Sequence, residues 1–412
     1  MSAIRPISTL MRRVIAAASS ICLALAAALA LAAPADAGPR TFRPAVVQGS
    51  VPTAGELTAM RDIRAKSVRT VFRWEVVEAA PRTGSSCSTA RYDFSRYDPL
   101  VRAAGERRVS ILPVFGGSPE YVEPNSSLRH DAARYPTPGT RAFGNFQCFV
   151  RAVVGRYGRG GTFGARDIVD WQLWNEPNLK LYSPNQDVSP AKYGKLVKAT
   201  ATTIRSLDGR ATVVLAGLPE TPAQGMNSNV FLRKMYRVKK IRSKFDAVAL
   251  HPYARNARGT KGALIRLRET LRDLGDRRRP VWVTEIGWAS DGNQNYFAVT
   301  TEKGQADRLQ STFQMFRKNR DRFKIGTFYW YNFHDEAGYA ENTGNWTNYA
   351  GLYLENGTPK PACNRYKRFT GASGSCRNIQ GPASDASLTS ADGFLLGSDA
   401  AGGALEPAPP EE

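Results

Sequence analysis

Between residues 45 and 372 the chain repeats one pattern eight times: a short β-rich run, then a longer amphipathic stretch. Strands are expected over 45–51, 68–74, 109–116, 168–175, 212–218, 246–251, 281–286 and 325–331. The helices that follow them are expected over 53–66, 94–108, 140–157, 189–207, 227–245, 260–278, 301–323 and 360–369. Val213-Val214-Leu215-Ala216 and Val248-Ala249-Leu250 are nearly continuous apolar runs, the pattern of parallel strands buried on both faces. Tyr193, Leu196, Val197, Thr200, Ile204 and Leu207 recur near the helical period. Strands alternating with helices define an α/β fold. Eight such units in about 330 residues favour a closed (β/α)8 TIM barrel over an open, doubly wound sheet. No glycine-rich phosphate loop follows the first strand, so no nucleotide or other cofactor is expected.

The two ends read differently from the barrel. Arg5, Arg12 and Arg13 precede an Ala- and Leu-rich run from Val14 to Ala33, and Ala35-Asp36-Ala37 offers a cleavage site before Gly38. Residues 1–37 are therefore expected to be a secretory signal peptide. An uncleaved membrane anchor is the competing reading, weakened by how slightly apolar alanine is. Residues 38–378 are assigned to the catalytic domain and 379–412 to a disordered acidic tail. The domain holds 54 Lys and Arg against 29 Asp and Glu, a net charge of +25, so polyanions should be drawn to it. Export argues against nucleic acid and for an anionic glycan or cell surface; an Arg-rich solvated face is the bland alternative. Beyond the signal four cysteines remain, Cys87, Cys148, Cys363 and Cys376, an even count that suggests two disulfides in an exported protein. Cys363 and Cys376 are 13 positions apart around the last helix, and Cys87 and Cys148 fall in neighbouring units, so those two pairings are expected. No C-x-x-C occurs and the only histidines are His130, His251 and His334, so no metal site is expected.

In a (β/α)8 barrel the chemistry gathers at the C-terminal ends of the strands. Arg73-Trp74 stands at the end of strand two, Asn175-Glu176 of strand four, His251-Pro252-Tyr253 of strand six, Glu285 of strand seven and Trp330-Tyr331-Asn332 of strand eight. Glu176 and Glu285 are each flanked by tryptophan. Paired carboxylates beside indoles suit glycoside cleavage, in which one carboxyl protonates the leaving oxygen and the other attacks the sugar carbon. Strands four and seven face each other, so inward side chains can bring the two carboxyls to about 5–5.5 Å. No G-x-S-x-G elbow is present, which argues against a serine hydrolase.

Taken in order, Trp174-Asn175-Glu176-Pro177-Asn178, His251-Pro252-Tyr253 and Thr284-Glu285-Ile286-Gly287-Trp288 resemble the clan A glycoside hydrolases, in particular bacterial secreted members near families 39 and 5. The resemblance spans the barrel. It implies a retaining enzyme with Glu176 as acid/base and Glu285 as nucleophile. It further implies that Asn175 bonds the sugar 2-OH, that Arg73 holds Glu285 ionised, and that Tyr253 donates to Glu285. His251 would orient its neighbours and Trp330 would floor the reacting sugar. Trp74, Tyr121, Tyr182, Trp288 and Trp346 become candidate platforms for further sugars. The bland readings are a structural Arg73–Glu75 ion pair, a satisfied core His251 and a core Trp330, with Trp174 packing beneath the motif. The implied partner is a β-linked carbohydrate polymer, bound by a monomer that is free of the membrane once the signal is cut. A transglycosylase would share the covalent intermediate. A carbohydrate-binding protein on a degenerate barrel is the alternative from another class, but it would be expected to have lost a glutamate.

Overall fold

The computed structural model describes residues 42–78, 86–122, 134–220, 222–336 and 345–380. The expected signal peptide and all but the first residues of the acidic tail lie outside the described residues. Eight strands close into a barrel in chain order. They are β1 (Arg43–Val47), β2 (Ser67–Arg73), β3 (Ser110–Gly116), β4 (Asp170–Leu173), β5 (Thr212–Pro219), β6 (Ala247–His251), β7 (Val281–Ile286) and β8 (Ile325–Trp330). All neighbours pair parallel, and β8 closes the ring on β1. The covering helices are α1 (Ala54–Asp62), α2 (Asp98–Arg107), α3 (Arg141–Tyr157), α4 (Pro190–Leu207), α5 (Ser228–Met235), α6 (Ala257–Asp273), α7 (Glu302–Phe323) and α8 (Pro361–Thr370). Closure leaves no unpaired strand edge, and the helices cover the outer face, so β4, β6, β7 and β8 are buried along their whole length.

Local chemistry sets where the helices begin and end. Thr53 and Glu56 form a capping box at α1, while Thr140, Ser189, Asn256 and Thr301 cap α3, α4, α6 and α7. The expectation of a helix over 227–245 is corrected: α5 stops at Met235. Only Val238 is apolar between Arg237 and Lys240, so no stripe remains to bury. Lys240 then turns left-handed before the single 3-10 turn Ile241–Lys244. Helix α6 likewise begins three residues earlier than expected, because the Asn256 side chain accepts from the backbone N–H of Arg258 and Gly259.

Cys87 bonds Cys148 on α3, with Cα atoms 5.2 Å apart, and Cys363 on α8 bonds Cys376, at 6.3 Å. These bridges close loops of 61 and 13 residues. Chain entropy then assigns about 4 kcal/mol to the first and about 3 kcal/mol to the second. The paired Cys87→Ser, Cys148→Ser variant should therefore lose more stability in urea than the Cys363→Ser, Cys376→Ser variant. An unchanged unfolding midpoint in the first variant, or a Cys87–Cys376 peptide in a non-reducing digest, would overturn this.

Candidate functional site

The site begins where β4 ends. Trp174 (φ 74°) and Glu176 (φ 40°) both take left-handed backbone, at a cost of about 1–3 kcal/mol for each non-glycine residue. Such strain persists only where the surroundings fix it, and several bonds do. Tyr193 Oη donates to Leu173 O (2.9 Å) and accepts from Ala216 N–H (2.7 Å), while Glu176 N–H donates to Gly217 O (3.2 Å). Asn178 Nδ2 donates to Pro219 O and Met226 O. The turn sends Trp174 outward against Phe146 and Tyr135, and Asn175 and Glu176 inward.

On the far side, the register of β7 against β8 slips between Val283 and Ile286, leaving one extra residue on β7. A bulge of this kind re-aims a side chain, and here the adjacent Thr284 and Glu285 both reach the interior. Glu285 Oε1 accepts from Arg69 Nη1 at 2.6 Å, and Glu285 Oε2 accepts from Tyr253 Oη at 2.8 Å. Glu176 Oε1 lies 2.6 Å from His251 Nδ1. A carboxylate oxygen of Glu176, one of Glu285 and a ring nitrogen of His251 all fall within 4.8 Å of one another. Geometrically those three could ligate a cation, but Arg69 already gives Glu285 its positive neighbour.

The electrostatics separate the two carboxyls. Burial, reinforced by the charge of Glu285, pushes Glu176 well above the usual carboxylate range. Burial also raises Glu285, but Arg69 and the Tyr253 hydroxyl pull it back, to about 7. Glu285 is thus the first of the pair to ionise. His251 is driven well below its ordinary value by burial and by Arg69, and is neutral. Burial and the charge of Glu285 keep the Tyr253 hydroxyl protonated, and so a donor.

Four expectations from the sequence need correction. Arg73 does not hold Glu285: its Nε bonds Glu75 Oε1 at 2.5 Å. Arg69, two strand repeats deeper on the same face of β2 and fully buried, takes that place. Trp330 is not the floor of the site. It is buried against Phe313 of α7 and Trp288, with its indole N–H on Ala350 O, so it faces the helices. The next residue, Tyr331, takes the interior position and feels the charge of Glu285. Trp288 is helix-side core as well, donating to Ala254 O. Trp74 lies against Phe146 and Phe149 and donates to Glu78. Trp346 does reach the site: its ring is 5.2 Å from Tyr253, 6.0 Å from Tyr331 and stacked on Tyr296. His334 bonds Gln48 and pairs with Glu56 at 2.5 Å. Gln172, Thr284 and Tyr296 join the site without having been anticipated.

Residues 172–366, which hold both glutamates, match the family described as glycosyl hydrolase catalytic core. Across that stretch the chain is similar to glycosyl hydrolase catalytic cores. The barrel also has the fold of solved glycoside hydrolases. A family 39 glycoside hydrolase from Bacteroides cellulosilyticus superposes with a TM-score of 0.56 at 20% identity, over 80% of this chain and 64% of that one. A monomeric beta-xylosidase from Caulobacter crescentus gives 0.58 at 18% identity, over 81% and 69%. An exo-beta-1,4-mannosidase from an Opitutaceae bacterium gives 0.58 at 15% identity, over 82% and 60%. The chain therefore spans only about two thirds of the length of these enzymes. No curated protein sequence matches it.

Proposed function

We propose that the chain is an exported, retaining glycoside hydrolase that cleaves β-linked O-glycosides of a polysaccharide or oligosaccharide by double displacement. The observation that carries this reading is the approach of the Glu176 and Glu285 carboxylate oxygens to within 4.8 Å. Retention needs carboxyls about 5–5.5 Å apart, while inversion needs about 6.5–9.5 Å to admit a water. Glu285, held by Arg69 and Tyr253, attacks the anomeric carbon. Glu176 gives its proton to the leaving oxygen and then takes one from water. Arg69 Nη2 holds Asn175 Oδ1 at 2.8 Å, and the buried Asn175 Nδ2 has no hydrogen-bond partner among the described residues. That donor is left for the sugar 2-OH. The buried Trp346 indole N–H is equally unpartnered and stands in the aromatic wall beside Tyr253. A β linkage agrees with the beta-xylosidase and the beta-mannosidase among the similar structures. Export rests on the cleavable N-terminal segment and the two disulfides; among the described residues no helix is long and apolar enough to cross a membrane. A hydrolysis screen on neutral and acidic β-polysaccharides, with Glu285→Gln as blank, tests the reading. Release of a product with inverted anomeric configuration would exclude retention, and products longer than the substrate would indicate transglycosylation.

One cluster of exposed bases lies on a different face from the site. Arg237, Lys239, Lys240, Arg242, Arg277 and Arg278 are exposed and precede β6 or β7, so they lie at the N-terminal ends of the strands, opposite the carboxylates. Arg279 Nη2 donates to Arg242 O, which joins the two stretches. This placement favours anchoring to an anionic polymer over recognition of an acidic sugar in the cleft. Exposed charges are screened beyond about 10 Å at 0.1 M salt. Retention on an anionic polymer should therefore fall steeply as salt rises, while hydrolysis of a short neutral glycoside barely changes. Equal salt responses would reduce the patch to a solvated face.

A further inference from the structure

We propose that a buried hydrogen-bond relay, Arg69–Gln172–Thr284–His251, fixes the proton of neutral His251 on Nδ1 and so turns the acidic proton of Glu176 toward the glycosidic oxygen. The inference rests on reading Glu176 as the acid/base, and deepens it by naming Thr284 and Gln172 as positioning residues.

Each link has one direction. A guanidinium only donates, so the 2.6 Å bond from Arg69 Nε makes Gln172 Oε1 the acceptor and fixes which way the amide lies. The Gln172 amide nitrogen then donates to Leu215 O (3.0 Å) and to Thr284 Oγ1 (3.3 Å). Thr284 Oγ1 receives that hydrogen and sends its own to the remaining neighbour, His251 Nε2, at 3.0 Å. A nitrogen that accepts carries no proton, so the single proton of the neutral ring sits on Nδ1. Nδ1 is 2.6 Å from Glu176 Oε1 and 3.5 Å from Glu285 Oε2.

The tautomer matters because Glu176 must carry a proton and keep it available. With Nδ1–H donating to Oε1, protonated Glu176 holds its hydrogen on Oε2, away from the ring. After cleavage the same N–H stabilises the carboxylate that must act as base. In the opposite tautomer Nδ1 would accept, and the carboxyl would spend its proton on the imidazole. The compartment leaves no slack for the ring to turn: a Cβ at Gly217 would collide with both His251 Nε2 and Thr284 Oγ1. All five side chains, from Arg69 to Glu176, are at least 98% buried, so no bulk water competes for these bonds.

The first test needs no substrate. The chain has three histidines, so a long-range proton–nitrogen correlation spectrum of the labelled protein resolves each ring, and His251→Asn identifies its signals. A proton on Nδ1 with bare Nε2 is expected; a proton on Nε2 overturns the proposal. The second test is kinetic. Thr284→Val removes the hydroxyl and keeps the shape. It should lower kcat about 10- to 100-fold on aryl glycosides with poor leaving groups, and only a few-fold on activated ones that need no acid. Thr284→Ser should restore most of the loss. Equal losses across leaving groups, or no rescue by serine, would make Thr284 merely structural. If the wild-type protein turns over no glycoside, the hydrolase reading fails, while the spectrum still decides the tautomer.

Discussion

Glu285→Ala should abolish turnover, lowering kcat by about four to six orders of magnitude as expected for a lost nucleophile. Azide or formate should restore part of it and give a product of inverted configuration. The reasoning starts from the pocket that the carboxylate occupies. Glu285 is fully buried between the Arg69 guanidinium and the Tyr253 hydroxyl, so its removal leaves a buried space with a cation on one side and a hydroxyl donor on the other. A small anion fits that space electrostatically and attacks the anomeric carbon from the face Glu285 had used. One displacement inverts the centre where the proposed double displacement retains it. The same burial predicts a cost in folding. Arg69 loses its counter-ion, and breaking a buried pair costs about 3–5 kcal/mol. Glu285→Gln keeps an acceptor for Arg69 and is the stability control: it should fold better than Glu285→Ala and be equally inactive without azide. Near wild-type rates in either variant would remove Glu285 from the chemistry.

What the sequence disclosed about the site, and what it hid, follows from side-chain direction. The eight-fold alternation and the apolar strands gave the barrel, because parallel strands buried on both faces admit few other closures. Glu176 and Glu285 were visible because each ends a strand beside tryptophan. Arg73 stands nearer the strand end than Arg69, so position at the strand end alone points to the wrong arginine. The two share a face of β2, four residues or about 13 Å apart, and an arginine is long enough to serve the rim from below. The missed signal was a charge inside Val68-Arg69-Thr70-Val71-Phe72, where burial demands a partner. Phe328-Tyr329-Trp330-Tyr331 is aromatic on both faces, and a two-residue period cannot then tell the inward Tyr331 from the outward Trp330. The structure sets the parity through Phe328 and Trp330 on Phe313 of α7, and Tyr329 Oη on Ser67. Thr284 is hidden in the sequence for a third reason. Neighbours on a regular strand point to opposite faces, so beside an inward Glu285 it should have faced the helices. Only the slip of β7 against β8 brings both inside, and a bulge leaves no mark in residue type.

Glu176→Ala should separate substrates by how much help their leaving groups need. Aryl glycosides with poor leaving groups should lose about 10²–10⁴-fold, while those with strongly activated leaving groups should form the glycosyl-enzyme nearly as fast as wild type. The pH profile should change in one limb only. As the proposed nucleophile, wild-type Glu285 must be ionised to attack, so the rate should climb as pH rises through its titration near 7. Glu176 must be protonated to donate, and its higher value makes the rate fall again at more alkaline pH. The two share one buried site, so the limbs report the pair, but their causes differ. The shift of Glu176 draws on burial and on the charge of Glu285. That of Glu285 comes from burial, offset by Arg69 and Tyr253. Removing Glu176 therefore deletes the alkaline limb and leaves the acid limb near its place. Rates on an activated aryl glycoside across pH measure this directly. An acid limb that vanished with Glu176, or losses that were uniform across leaving groups, would mean that the two glutamates do not hold the roles their surroundings assign.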